Sequence, residues 1–157
     1  MTLHSLPSLE SRYRVTGHPQ LRVTILDVGL ACCALEVGAA ITAGLLVPQE
    51  SIDTESDGFV VSVLLISGTV TDALAPGIIR AWATLEEPRL AVSFGACANT
   101  GGPYWDAPTV TKGIDQLIPI SVYIPGCPPR PEALVAGLVR LSQPSVVTHS
   151  DPSGESR

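Results

Sequence analysis

The segment that most constrains the fold is an almost continuous apolar run, "FVVSVLLISG", at residues 59–68. Its β-branched residues predict a β-strand, and the lack of alternation with polar residues predicts that both faces of the strand are covered. Strands of this kind are typical of parallel sheets that carry helices on both sides. We therefore expect this strand to lie at the centre of an α/β domain.

Further apolar runs alternate with helix-like segments, which is the pattern of βαβ units. The other strand candidates are residues 21–29, 88–97 and 117–127, and the helix candidates are residues 33–46, 71–85 and 128–141. Thr71 or Asp72 is expected to cap the second helix, and Pro48 is expected to stop the first. The sequence thus predicts an α/β fold with a single domain and a mainly parallel sheet of about four strands flanked by helices.

The two ends of the chain differ from this pattern. Residues 1–20 are expected to form an N-terminal extension, residues 21–141 the α/β domain, and residues 142–157 a disordered tail rich in Ser, Pro and charged residues. An acidic connection at residues 48–58 is expected to be exposed.

Composition limits the classes of function. The chain has 157 residues and a formal net charge of −6, and its nine Lys and Arg residues form no cluster, so nucleic acid and anionic lipid are poor ligands. Only 15% of the residues are charged, below the roughly 25% of average soluble proteins, which favours a subunit covered by partners. No signal peptide is recognisable, so a cytoplasmic location is expected. Residues 28–47 are apolar enough to span a bilayer, but Glu36 in their middle favours a buried strand end, a turn and a helix.

Four cysteines follow the strand candidates. Cys32 and Cys33 come after the first strand, Cys97 after the third and Cys127 after the fourth. The carboxyl ends of parallel strands meet at one sheet edge, so the four thiols are expected to converge there. In a reducing compartment such thiols are metal ligands or reactive groups rather than disulfides.

Four thiolates suit either tetrahedral zinc or an iron–sulfur cluster. The adjacent pair favours the cluster, because neighbouring side chains point in different directions and a cubane offers separate corners. The alternative is a non-redox α/β interaction module with structural zinc or no metal, in which the cysteines serve only packing.

The motifs "GLACCALE", "ISGTVTDALAP", "SFGACANTGG" and "GIDQLIPISVYIPGCPPRPEALVAGL" resemble the B-type subunit family of NADH:quinone oxidoreductase (respiratory complex I) and the related small subunits of membrane-bound [NiFe] hydrogenases. The resemblance covers residues 29–141. It implies a flavodoxin-like fold and one [4Fe-4S] cluster bound by Cys32, Cys33, Cys97 and Cys127. It also implies one subunit of a multisubunit oxidoreductase, which is not catalytic alone and relays electrons to or from a large subunit with a quinone or [NiFe] site.

The resemblance further implies a ferredoxin-like iron–sulfur subunit as a second partner, membrane subunits as indirect partners, and a peripheral position on the cytoplasmic side of the membrane. The family also has an acid at the position of Glu36, within one helical turn of Cys32 and Cys33. Glu36 is therefore a candidate redox-coupled proton site, the alternative being a cap or an ion pair with a partner's arginine. Residues 37–58 contain neither the Met-rich segment nor the arginine loop of complex I members, which leaves quinone or protons open as the acceptor.

Three aromatic residues are further candidates. Trp82 lies on the apolar stripe of the second predicted helix and is expected in the core. Tyr104 and Trp105 follow a glycine-rich loop, where they could contact a partner, cover the cluster or pack in the core.

Overall fold

The structure is a computed structural model that describes residues 10–27, 31–49 and 60–142. The strands in these ranges are β1 (Glu10–Val15), β2 (His18–Asp27), β3 (Leu46–Pro48), β4 (Val61–Ser67), β5 (Arg89–Phe94) and β6 (Val122–Ile124). The α-helices are α1 (Cys32–Thr42), α2 (Ala75–Thr84), α3 (Ala96–Thr100) and α4 (Pro131–Arg140). Single turns of 3₁₀ helix form at Gly102–Tyr104 and Ile114–Gln116.

The strands form one sheet in the order β3-β1-β2-β4-β5-β6. Strands β2, β4, β5 and β6 pair in parallel, whereas β1 pairs antiparallel with both β2 and β3, so β3 runs in the same direction as the parallel strands. Without β1, the order of the strands is that of flavodoxin, with β2 and β4 on either side of the topological switch point. The mainly parallel α/β fold is confirmed, with six strands where the apolar runs predict about four.

Strand β4 lies in the middle of the sheet, as its apolar sequence predicts. All seven of its residues are buried. Val63 and Leu65 belong to a core cluster that includes residues of α1 and α4, whereas Leu64 and Ile66 belong to a second cluster that includes residues of α2. Helices therefore cover both faces of this strand, which explains why it has no polar alternation.

Helix α1 ends before the predicted boundary. The sequence predicts a helix that runs to residue 46 and is stopped by Pro48, but α1 ends at Thr42. Gly44 has φ +72°, and the Leu45 N–H donates to the Ala40 carbonyl at 2.9 Å, the hydrogen bond of a Schellman motif. The left-handed glycine turns the chain into β3, so Pro48 is a strand residue.

Helix α2 begins later than predicted, at Ala75, and its N-cap residue is Leu74. The prediction that Thr71 or Asp72 caps this helix is wrong. Thr71 pairs with Val110 in an isolated β-bridge, and its carbonyl accepts hydrogen bonds from the N–H groups of Leu74 and Ala75. This turn delays the start of the helix.

Several predicted segments lie partly outside the described residues. The predicted tail at residues 142–157 is described only at its first residue, and the acidic connection at 48–58 only at its first two. Strand β1 and the start of β2 lie within residues 1–20. Among the described helices, none is long and apolar enough to cross a membrane.

Candidate functional site

Cys32 and Cys33 are the first two residues of α1, which follows β2. Cys33 is buried, with 2% of its surface exposed, and it packs against the first core cluster, whereas Cys32 is exposed. The first N–H groups of a helix have no intrahelical partner, and the helix dipole favours negative charge at this end. The start of α1 is therefore a favourable place for thiolates.

Cys97 and Cys127 are held side by side by backbone hydrogen bonds that continue past the ends of β5 and β6. The Gly95 N–H donates to the Ile124 carbonyl at 2.9 Å, and the Ala96 N–H donates to the Gly126 carbonyl at 2.8 Å. Residues 96 and 126 directly precede the two cysteines. Cys97 is buried in α3 with 6% exposure, whereas Cys127 is exposed.

The electrostatics of Cys33 show that it shares one region with the other three cysteines. Burial raises the pKa of the Cys33 thiol to about 12, and the charge and hydrogen bond of Cys32 raise it further, followed by the charges of Cys97 and Cys127. Each of the other thiols thus lies near enough to act on Cys33. The four cysteines, all free, meet at the carboxyl edge of the parallel strands.

Two glycines allow the backbone to approach the buried thiols closely. Gly95 has φ +92°, and a Cβ added there would overlap the Sγ atom of Cys33. Gly102 has φ +56°, and a Cβ there would lie 3.0 Å from both the Sγ and the backbone nitrogen of Cys97. Both positions therefore require glycine for conformation and for space.

Glu36 lies one turn along α1 from Cys32, and the two residues share a side of the helix because they are four positions apart. The side chain is half-buried. Within the described ranges, its carboxylate forms no hydrogen bond and no ion pair. The structure thus places the carboxylate beside the cysteine pair and gives it no partner from the described part of the chain.

The aromatic candidates are more exposed than a core position would require. Tyr104 and Trp105 are exposed, Trp105 by 59%, and Lys112 lies 5.9 Å from the centre of the Trp105 ring. The prediction that these two side chains could pack in the core is wrong. Trp82 is half-buried against the second core cluster, with the Arg89 guanidinium 4.9 Å above its ring.

The site also contains a polar pair that the sequence pattern does not single out. Ser93 Oγ donates to Asn99 Oδ1 at 2.6 Å, and Asn99 Nδ2 donates to the Ile124 carbonyl at 3.2 Å. The only signal in the sequence is a serine inside an apolar strand, followed six residues later by an asparagine beside a cysteine.

The donor set of the site is soft and large. Four thiols suit zinc or an iron–sulfur cluster, and the glycines leave room beside the two buried sulfurs. In the described parts of the chain, no three His, Cys, Asp or Glu side chains are grouped so that they could hold a single metal ion. The arrangement is thus one in which the thiols act on each other without being gathered around one point.

Fold and site together define a flavodoxin-like α/β protein with four cysteines at the carboxyl edge of its sheet. The family described as NADH ubiquinone oxidoreductase, 20 Kd subunit, has a model that matches residues 17–141. The chain belongs to this family, which confirms the resemblance that the cysteine motifs indicate. Like its family, it is one subunit of a multisubunit oxidoreductase and is not catalytic alone.

Curated relatives carry names that agree with this assignment. One of two numbered B-type subunits of NADH-quinone oxidoreductase, from Salinispora tropica, is 44% identical over 134 residues, which cover 85% of this chain and 71% of the relative. The other, from Streptomyces griseus, is 46% identical over 125 residues, which cover 76% of this chain and 51% of the relative. The chain thus spans only about half the length of the second relative.

A solved structure also resembles the chain. It is the membrane-bound sulfane sulfur reductase, an archaeal respiratory membrane complex, with a TM-score of 0.56 and 32% sequence identity. The match covers 74% of this chain and 66% of the solved chain. The relatives of this chain therefore include a subunit of a membrane-bound complex.

Proposed function

We propose that this chain binds one [4Fe-4S] cluster through Cys32, Cys33, Cys97 and Cys127 and serves as an electron-transfer subunit. The observation that carries the proposal is the meeting of four free thiols at one sheet edge, where each of the other three acts electrostatically on Cys33. Such a cluster, when bound, supplies reversible transfer of single electrons.

The chain's own residues provide one dry side and one open side of the site. Cys33 and Cys97 are buried at the bottom, where apolar packing excludes water, and the glycines beside them leave room for an inorganic core. A protein environment of this kind tunes the potential of a cluster through burial and hydrogen bonds. Binding requires deprotonated thiols, so Cys33 must release its proton when the metal enters.

The open side of the site faces outward and suits a partner. Cys32 and Cys127 are exposed, and Leu35, three positions after Cys32 on α1, is 75% exposed. Tyr104 and Trp105 add exposed aromatic surface after α3. We propose that the large catalytic subunit and a ferredoxin-like iron–sulfur subunit cover this side, in a complex attached to the cytoplasmic face of the membrane through other subunits.

Anaerobic reconstitution of the full chain with iron and sulfide tests the proposed cofactor. We expect a visible absorbance band that dithionite bleaches and that is lost in Cys97→Ser, while the far-UV circular dichroism of that variant is unchanged. Thr100→Ser, on the exposed side of the same helix, is the matched control and should retain the band. A colourless chain that holds one zinc ion would refute the proposal in favour of a structural metal site.

We propose Glu36 as a proton site coupled to reduction, because its carboxylate lies beside the cysteine pair and has no described partner. A proton that follows each electron makes the midpoint potential fall by about 59 mV per pH unit. We expect Glu36→Gln to flatten this slope near neutral pH. Glu86→Gln is the control, since Glu86 lies next to the start of β5, at the opposite edge of the sheet. An unchanged slope in Glu36→Gln would assign the carboxylate to a partner contact instead.

A further inference from the structure

Asn99 links the two chain segments that carry Cys97 and Cys127. It lies in α3, two residues after Cys97, and its amide oxygen accepts the hydrogen bond from Ser93 on β5 at 2.6 Å. Its amide nitrogen donates to the carbonyl of Ile124, the last residue of β6, at 3.2 Å. One side chain thus joins a helix to two neighbouring strands.

The chemistry of the linkage requires an amide. Only Asn and Gln side chains offer a fixed acceptor and a fixed donor on adjacent atoms, and Asn is the shorter of the two. The Ile124 carbonyl accepts from both the Asn99 amide and the Gly95 N–H, so both lone pairs of this oxygen have a donor. With the hydrogen bond from Ala96 to Gly126, three bonds join the two cysteine-bearing segments, and none of them involves sulfur.

A purely structural role would explain only half of this geometry. Ser93 is fully buried, so its hydroxyl needs a partner, and the Asn99 oxygen supplies one. That need is met without any bond from the amide nitrogen to β6. The second bond instead fixes the distance between α3 and the loop that leads to Cys127.

We infer that Asn99 is a positioning residue that sets the spacing of the Cys97 and Cys127 thiols before metal binds. The inference rests on the proposed function, because it assigns Asn99 a role in holding two of the four ligands of the same site. A site that is fixed in advance binds its metal group more tightly than one that must be ordered on binding.

The test measures iron loss from the reconstituted full chain to a chelator, together with the electron paramagnetic resonance spectrum of the reduced protein. Asn99→Asp keeps the acceptor for Ser93 but removes the donor to Ile124. The double variant Ser93→Ala/Asn99→Ala removes the whole linkage without leaving a buried hydroxyl unpaired. Thr100→Ala is the control, because that exposed hydroxyl bonds only to the carbonyl of Ala96 in its own helix.

We expect iron loss to be about fivefold faster in Asn99→Asp and in the double variant, the factor that corresponds to one hydrogen bond, with shifted resonance positions. Thr100→Ala should match the wild type in both measurements. A double variant with the wild-type rate and spectrum would overturn the inference and leave the proposed cluster intact. A wild-type chain that takes up no cluster would refute the proposed function itself, and the positioning role with it.

Discussion

Gly95→Ala is expected to displace the Cys33 thiol and to prevent cluster binding in a chain that still folds. Gly95 has φ +92° and ψ 164°, a region that is almost confined to glycine, and an alanine there has a backbone strain of about 1 to 3 kcal/mol. The new Cβ would also overlap the Cys33 Sγ, and overpacking of this kind costs about a further 1 to 3 kcal/mol. A ligand atom must be placed within about 0.5 Å of its productive position, so the displaced sulfur is lost to the site.

Gly17→Ala separates backbone strain from the effect on the thiol. Gly17 has φ +80°, and no atom lies within 4 Å of an added Cβ. This variant therefore has only the cost of a left-handed alanine, about 1 to 2 kcal/mol, and should keep the cluster. Iron and sulfide per chain, measured after reconstitution, distinguish the two variants.

A double-mutant cycle isolates the contact between Gly95 and Cys33 in the metal-free chain. Urea unfolding gives the cost of Gly95→Ala in the wild type and in a Cys33→Ala background, where the overlapping sulfur is absent. We expect a coupling free energy of about 1 to 3 kcal/mol between the two sites. Equal costs in the two backgrounds, or a Gly95→Ala chain with a full cluster and an unchanged resonance spectrum, would refute this account of the site.

Three further predictions concern pH, a cation–π contact and a packed glycine. The pKa of Cys33 is raised from its ordinary value of 9.0 to about 12, so the stability that this thiol contributes to the metal-free chain is complete below pH 9 and is lost as the pH rises toward 12. Urea unfolding from pH 8 to 10 should show a steeper decline in the wild type than in Cys33→Ala, and equal slopes would contradict this. Arg89→Ala removes a guanidinium that lies 4.9 Å above the Trp82 ring and donates to its carbonyl, so the free energy of unfolding should fall by about 1 to 2 kcal/mol; a fall below about 0.3 kcal/mol would disprove the stacking role. Gly137→Ala places a Cβ 2.5 Å from a side-chain atom of β6 and should cost about 1 to 3 kcal/mol in thermal unfolding, whereas Gly77→Ala in α2, with open space around it, should be neutral or stabilising by up to about 1 kcal/mol. Equal effects at the two glycines would show that α4 packs more loosely on β6 than these distances indicate.

The parallel strands and the edge that carries the cysteines are predictable from the sequence, because both follow from runs of apolar residues. A strand that is covered on both faces must be apolar throughout, and β4 shows this without interruption. The residues after such strands then share one edge of the sheet. The placement of Cys33 and Cys97 therefore requires only the strand assignments.

The antiparallel part of the sheet is not predictable in the same way. Strand β1 has the sequence "ESRYRV", in which polar residues alternate with others, and β3 has only three residues. Both become strands because they pair with each other and because β1 pairs with β2. Such pairing depends on long-range contacts that a local pattern does not contain.

Boundaries and positioning residues show the same difference between local and distant causes. The end of α1 at Gly44 could be predicted from the glycine, a common C-terminal signal, although Pro48 is the more conspicuous residue. Asn99 has no local signal, because its role comes from an oxygen that lies 25 residues away along the chain. Thr71 has a capping sequence but is bound in a bridge to Val110, a contact that only the folded chain provides.

The most direct test of the central claim is the content of iron and acid-labile sulfide in the reconstituted full chain and in four single variants: Cys32→Ser, Cys33→Ser, Cys97→Ser and Cys127→Ser. We expect about four iron and four sulfide per wild-type chain and a marked loss of both in every variant. A wild-type chain without sulfide, or a cysteine variant that keeps the full content and the wild-type resonance spectrum, would contradict the claim that these four thiols hold one cluster.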